Sequence, residues 1–169
     1  HVLISTGAIM AHGLSEAIGC THYKHDPDIP DKQLYEWGYN RVYDTLEMEA
    51  NLSETAEMMS RVLEEHDWSQ PTCSSMLNRE VGRRLVDEGQ MPSVLGCAYE
   101  NDVPVYVPAF TDSELGLDVA THVAGQAADA EGETDPDVLF GQAPAFNPFL
   151  DLYDYTRRVM DAERVGILT

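Results

Sequence analysis

The stretch VPVYVPAFTDSELGLD places a hydroxyl and several acids directly after an apolar run, which is predicted to form a strand from Val103 to Phe110. Those polar residues are Thr111, Asp112, Glu114 and Asp118. Carboxylates at the carboxyl ends of parallel strands can hold ribose hydroxyls or ammonium groups, because ligands of open α/β sheets bind there. Asp112 also suits a role as N-cap of the next helix, which needs no ligand. The residues alone leave both interpretations open.

A second candidate site follows the first predicted strand, Val2–Ser5. The small residues Thr6–Ala8 form a turn into a predicted helix from about Ile9 to Ile18. Glycine allows the backbone to approach a ligand, and free N–H groups at a helix N-terminus suit phosphate. The GxGxxG fingerprint is absent, so the nucleotide signal is weak by itself. His12 near the start of that helix faces either a ligand or solvent.

The alternation of strands and helices predicts an α/β fold with a parallel sheet. Residues 19–31 are predicted to be a loop, and Val165–Leu168 a final strand. Further helices are expected at about 31–36, 51–65, 74–88, 92–99, 115–123 and 147–163. A Gly-, Ala-, Pro- and acid-rich segment, 124–147, indicates an exposed loop or insertion within one domain spanning 1–169. This order brings the two candidate sites to one rim of the sheet.

Two of the predicted helices carry apolar residues at helical spacing. In the helix at 51–65, Ser53 is the candidate N-cap, and the expected buried face is Leu52, Ala56, Met59 and Leu63. In the helix at 147–163, the expected buried face is Phe149, Leu152, Tyr153, Val159 and Met160.

Composition excludes several classes of partner. Thirty acidic residues against ten basic ones give a formal charge of -20, which disfavours binding to the phosphate backbone of nucleic acid. The negative field suits cationic substrates such as polyamines, or it serves only as a solvating acidic surface. No apolar run reaches the roughly 18 residues of a membrane span, so no membrane association is predicted.

The cysteines and histidines predict neither disulfides nor a metal site. Cys20, Cys73 and Cys97 are odd in number and widely spaced, which fits a reducing cytoplasm. Cys20, His22 and His25 match no closed zinc pattern. The carboxylates Glu47 and Glu49 are expected at the surface, and no GxSxG elbow supports a nucleophilic triad.

The chain begins and ends within predicted strands, which require paired neighbours. This placement predicts that the sequence is part of a longer, split or cleaved protein.

Several short motifs, in one order along the chain, resemble those of the deoxyhypusine synthase family. Residues 104–118 resemble the family's P-V-x-x-P-A-x-T-D-G-S-x-G-D stretch, and Ile4–Ala8 its S-T-A-G-G turn. Residues 38–42 are similar to G-x-N-R-I and 80–84 to E-x-G-[KR]-[KR]. The strand at 165–168 resembles the one before the family's triple-glycine turn.

This resemblance implies an NAD-binding Rossmann-type fold, assembled as a homotetramer or completed by a second chain. It implies that NAD oxidises spermidine and that an aminobutyl group passes through an enzyme lysine to a lysine of the hypusine-bearing translation factor. Relatives pass the group to putrescine and make homospermidine, and a non-catalytic nucleotide-binding relative is a further alternative. By position, NAD would be bound by Ser5, Thr6, Gly7, Ala8 and Asp112.

The chain departs from the family pattern around the amine site. After the glycine turn, the family has two glutamates and an aspartate where this chain has Ala11, His12 and Gly13. The family's aspartate that binds the amine is replaced by Leu117. Either Asp118 or Glu114 substitutes for that aspartate, or the amine substrate differs, and the candidate substrate-binding residues are His12, Glu114 and Asp118. The family's catalytic lysine lies beyond Thr169 by position, and neither Lys24 nor Lys32 is placed to replace it.

Overall fold

The computed structural model describes residues 1–126, 128, 135, 137 and 145–168. The helices are α1 (Gly7–Ala17), α2 (Asp31–Glu36), α3 (Glu49–Glu65), α4 (Ser74–Asp87), α5 (Val94–Glu100), α6 (Glu114–Gln126) and α7 (Pro148–Asp161). The strands are β1 (Leu3–Ile4), β2 (His22–Lys24), β3 (Tyr39–Val42), β4 (Thr45–Met48) and β5 (Val105–Tyr106). A single 3-10 turn, Phe110–Asp112, connects β5 to α6.

The predicted parallel α/β arrangement is confirmed by the pairing of β1 with β5. Leu3 lies opposite Val105 and Ile4 opposite Tyr106, in parallel register. The strand predicted over 103–110 is shorter because Pro104 and Pro108 lack the N–H groups that a ladder needs. The Val107 N–H donates to the Ser74 hydroxyl on α4 at 2.8 Å, outside any strand pairing.

A second, antiparallel sheet with the order β2-β4-β3 was not predicted. The prediction of a loop over 19–31 is wrong for its central residues, because His22–Lys24 pair with Thr45–Glu47. Tyr43 and Asp44 make the turn between β3 and β4, and Tyr43 adopts a positive φ of 55°. Hairpin turns of this kind are normally signalled by Asn-Gly or Asp-Gly, which this sequence lacks.

The main core lies where α1, α3, α4, α5 and α6 enclose the β1–β5 pair. Its largest fully buried side chains include Met10, Leu14, Met58, Met59, Leu63, Leu77, Leu85 and Leu115. The predicted α3 face is partly wrong, since Leu52 and Ala56 are only partly buried whereas Asn51 and Thr55 are buried. Asn51 and Thr55 are polar, so the hydropathy pattern could not predict that they face the core. Ser53 is no N-cap, because α3 already begins at Glu49.

Helix α7 forms close to its predicted bounds, with the Asn147 side chain accepting from the Phe149 N–H as its cap. The prediction of its buried face is wrong, because all five residues of that face are 37% to 79% exposed. They are Phe149, Leu152, Tyr153, Val159 and Met160. Asp151 is the buried residue of α7 instead, because its carboxylate is bonded to the start of α4.

The carboxyl-terminal segment also differs from its prediction. Val165–Leu168 form no strand, and Val165, Ile167 and Leu168 are exposed. Most of the predicted acidic insertion at 124–147 lies outside the described residues, and its first residues, through Gln126, belong to α6. None of the helices in the described part of the chain has the length and apolarity needed to cross a membrane.

Candidate functional site

The two segments singled out from the sequence touch at one edge of the parallel pair. The Ser5 N–H donates to the Tyr106 carbonyl at 2.9 Å and extends the β1–β5 contact to the start of α1. Thr6 caps α1 by accepting from the Ile9 N–H at 3.4 Å. A Cβ on Gly7 would overlap the Cβ of Ser113, so glycine is required for α1 to begin this close to the turn before α6.

Asp112 is not the cap of α6. The Ser113 hydroxyl accepts from the Gly116 N–H at 3.2 Å and donates to the Phe110 carbonyl at 2.5 Å, so Ser113 has the capping role. Asp112 is exposed in the 3-10 turn, and no hydrogen bond or ion pair joins its carboxylate to another described residue. The capping interpretation of Asp112 is therefore wrong, and the ligand-binding one stays a prediction.

Two histidines and a buried glutamate meet beside this edge. His12 Nδ1 on α1 lies 3.5 Å from Glu47 Oε2 on β4, and His22 Nε2 on β2 lies 3.4 Å from Glu47 Oε1. One ligand-capable atom from each residue falls within 4.8 Å of the others. Glu47, expected at the surface, is 6% exposed. We call these three residues the His–Glu cluster.

Neighbouring side chains hold the His–Glu cluster in place. The Ser15 hydroxyl donates to Glu47 Oε1 at 3.3 Å, and His22 Nδ1 lies 3.2 Å from Glu16 Oε1. The cluster lines an open cleft of about 440 Å³ that Thr45 and Glu16 also border. The register of β2 and β4 places His22 directly opposite Glu47, and no local sequence signal indicates that pairing.

Glu114, one of the predicted substrate-binding acids on α6, lies near the His–Glu cluster, whereas Asp118 borders the groove between α3 and α6. Burial raises the pKa of Glu114, the Glu47 charge raises it further, and His12 opposes the rise. Burial, followed by the Glu114 charge, raises the pKa of Asp118 to about 6. Asp118 Oδ2 is buried without a hydrogen-bond partner in the described residues, whereas Leu117 is 65% exposed. The family motif has its aspartate at position 117. In this chain the inward-facing acid is therefore Asp118, one position later.

The Cys20, His22 and His25 group does not converge. Cys20 Sγ donates to Glu54 Oε2 at 3.5 Å, and the pKa of this thiol is raised by burial. His25 Nε2 lies 3.1 Å from the Ile29 carbonyl oxygen. Of these three residues, His22 alone belongs to the His–Glu cluster. Its partners there, His12 and Glu47, lie on α1 and β4 and not in the segment that holds Cys20 and His25.

Comparison with known proteins matches residues 1–169 to the sequence profile described as deoxyhypusine synthase. A protein of Methanosarcina acetivorans named probable deoxyhypusine synthase 2 is 34% identical over 120 residues, which are 68% of this chain and 33% of that protein. The Archaeoglobus fulgidus protein of the same name is 27% identical over 167 residues, 99% of this chain and 49% of its own length. A deoxyhypusine synthase-like protein of Coxiella burnetii is 31% identical over 123 residues, 71% of this chain and 35% of that protein.

The matched region covers between 33% and 49% of the length of these curated relatives. The chain therefore spans at most about half of such a protein.

Proposed function

The chain belongs to the deoxyhypusine synthase family, and on that premise we propose that it forms the NAD-binding portion of an NAD-dependent aminoalkyl transferase acting on a polyamine. The observation that carries this proposal is the contact between the start of α1 and the turn that holds Asp112, made through Gly7 and Ser113. The two segments lie far apart in the sequence and form one continuous surface at the carboxyl edge of β1 and β5.

The residues at this edge fit a dinucleotide. The exposed start of α1 at Thr6 and Ala8 offers backbone N–H groups and a positive helix end to a pyrophosphate. Asp112 offers an exposed carboxylate that no other described residue binds, which suits the hydroxyls of a ribose. Bound NAD would supply the hydride acceptor for oxidation of the amine.

The acids of α6 fit the amine. Glu114 and Asp118 create a negative region, and the charge-assisted hydrogen bonds that an ammonium group donates to carboxylates are stronger than neutral ones. The formal charge of -20 also attracts polycations over a longer range. We assign His12, Glu114 and Asp118 to substrate binding, with Asp118 taking the role that Leu117 cannot fill.

Transfer of the aminoalkyl group requires an enzyme lysine that lies beside the amine, and neither lysine of this sequence is suitably placed. Lys24 and Lys32 are both exposed, and Lys32 lies 3.9 Å from Glu36 on its own helix. We therefore propose that the transferring lysine comes from a segment or second chain outside this sequence, within a homo-oligomer such as a tetramer or a complementing pair. The acceptor is a lysine-bearing protein or, in a homospermidine synthase-like reaction, a second amine.

One observation favours a second candidate, a non-catalytic relative that binds the nucleotide alone. Leu117 is exposed where the family motif has an aspartate, and a relative in which Asp118 does not replace that aspartate would lack the amine contact. An assay of the complete assembly with NAD and spermidine, putrescine, agmatine or homospermidine distinguishes the two. NADH formation with any of these amines supports the transferase, and its absence with all of them supports the non-catalytic relative.

Replacement of Asp112 tests the nucleotide site directly. We expect Asp112→Ala to weaken NAD binding by about 10–100-fold, the equivalent of one hydrogen bond to a charged group. The melting temperature should stay unchanged, because Ser113 caps α6. Isothermal titration with NAD measures the affinity, and Asp161→Ala at an exposed position of α7 is the matched control. Unchanged affinity in Asp112→Ala, or no NAD binding by the unmodified protein, would overturn the assignment.

A further inference from the structure

The His–Glu cluster contains lone pairs that face one another. His22 Nδ1 lies 3.2 Å from Glu16 Oε1, so the neutral ring keeps its proton on Nδ1 and directs the Nε2 lone pair away from Glu16. Nε2 is buried, lies 3.4 Å from Glu47 Oε1 and makes no hydrogen bond to another described residue. A lone pair and a carboxylate oxygen repel each other at this distance unless a proton or a metal ion lies between them.

The distances within the cluster suit a small divalent cation. Two ligands that each lie about 2.0–2.1 Å from a tetrahedral zinc ion are separated by about 3.3 Å. His12 Nδ1 lies 3.5 Å from Glu47 Oε2, and His22 Nε2 lies 3.4 Å from Glu47 Oε1, so each imidazole is near ligand spacing from one oxygen of the carboxylate. One donor atom from each of the three residues lies within 4.8 Å of the others. Two imidazoles and one carboxylate form a donor set that zinc prefers, and the open cleft leaves room for a fourth ligand.

The surroundings of the cluster resemble those of a metal ligand set. Glu16 fixes the tautomer of His22, in the way that carboxylates orient the histidine ligands of zinc. The Ser15 hydroxyl orients Glu47 by donating to Oε1 at 3.3 Å. Each ligand also lies on a different element, α1, β2 or β4, so the packing of these elements positions the donors before any ion binds.

We propose that His12, His22 and Glu47 form a binding site for a divalent transition metal ion, with zinc as its preferred occupant. Glu16 and Ser15 are positioning residues for the site. This site does not depend on the proposed transfer activity, because its test measures the metal alone. With the ion bound, His12 contributes to the amine site only through the metal, and the direct contacts to the amine are left to Glu114 and Asp118.

Titration of the metal-free protein with zinc tests the proposal. The protein is prepared without a histidine tag, stripped with a chelator and titrated with zinc chloride in a calorimeter. We expect one zinc ion per chain, and substitution of the ion by cobalt should give the visible absorption of a tetrahedral site. Glu16→Gln should weaken binding by about 10–100-fold, and His12→Ala, His22→Ala and Glu47→Gln by more.

A control variant at a histidine outside the cluster distinguishes zinc binding at the cluster from adventitious zinc binding. His122 on α6 contacts Gln126 and lies outside the cluster, so His122→Ala should bind zinc as the unmodified protein does. Circular dichroism without zinc checks that each variant folds, and Glu16→Gln changes only a largely exposed side chain. The proposal is overturned if zinc binds with no defined stoichiometry, if His122→Ala loses it equally, or if the cluster variants retain it. Binding of a polyamine but not zinc, lost in Glu47→Gln, would also overturn it and assign the cluster to the amine.

Discussion

Glu47 in the cleft and Asp151 on α7 are both buried carboxylates, but the protein surrounds them with different partners. Asp151 Oδ2 accepts from the Ser74 N–H at 2.9 Å and from the Ser74 hydroxyl at 2.7 Å, while Oδ1 accepts from the Ser75 N–H at 3.2 Å. Among the described residues, the Glu47 carboxylate accepts a hydrogen bond from the Ser15 hydroxyl alone, at 3.3 Å, and otherwise faces two histidines.

The comparison separates a structural acid from one that is available to a ligand. Asp151 satisfies the free N–H groups at the start of α4, where a negative charge is also favoured by the helix dipole. Ser74 then accepts from the Val107 N–H, so one hydrogen-bond network links α7, α4 and the segment after β5. No backbone N–H of the residues that the structure describes donates to the Glu47 carboxylate, and its remaining lone pairs are free for a cation.

The largest expected effect is that of Asp151→Asn. The amide keeps the shape of the side chain but turns one acceptor into a donor, which leaves a donor of Ser74 or Ser75 unsatisfied. We expect a loss of about 2–3 kcal/mol in the free energy of unfolding, measured by urea denaturation. Asp161→Asn on the same helix is the control, because Asp161 is exposed. Equal, small losses in both variants would show that Asp151 does not anchor α7.

A smaller effect, of opposite sign, is expected for Asp118→Asn. The folded-state pKa of about 6 lies above the ordinary value of 3.8, so the acid costs stability as the pH rises between these two values. The variant should melt on the order of 2 °C higher than the unmodified protein at about pH 8 and equally at about pH 3.5. Calorimetric melting curves at the two pH values measure this difference. A gain of equal size at both would contradict the raised pKa.

The smallest effect is expected for Glu47→Gln in the absence of metal. The amide nitrogen, in the place of Oε1, can donate to the free Nε2 of His22 but no longer accepts from Ser15. One hydrogen bond then replaces another, so the free energy of unfolding should change by only about 0.5 kcal/mol. Urea denaturation in chelator, beside Asp151→Asn, measures the contrast. If Glu47→Gln lowered the free energy of unfolding as much as Asp151→Asn does, Glu47 would also be required for stability, like Asp151.

Local patterns predicted the elements better than they predicted the site. The β1–α1 turn and the segment before α6 were expected at one rim, and parallel pairing of β1 with β5 confirms that expectation. Glu47 was missed because its burial depends on a hairpin whose turn lacks glycine. The apolar face of α7 was assigned wrongly because helical spacing shows which residues share a face, but not what covers that face.

The amino-acid sequence is sufficient to establish the family motifs and the order of most helices, because short-range propensities, capping residues and glycines act over a few residues. The His–Glu cluster and the orientation of α7 depend on contacts between distant residues. His22 meets Glu47 through strand register, and Asp151 meets Ser74 across 77 positions of the chain. Such pairings are selected by the burial and hydrogen bonding of the whole fold, and no local pattern encodes them.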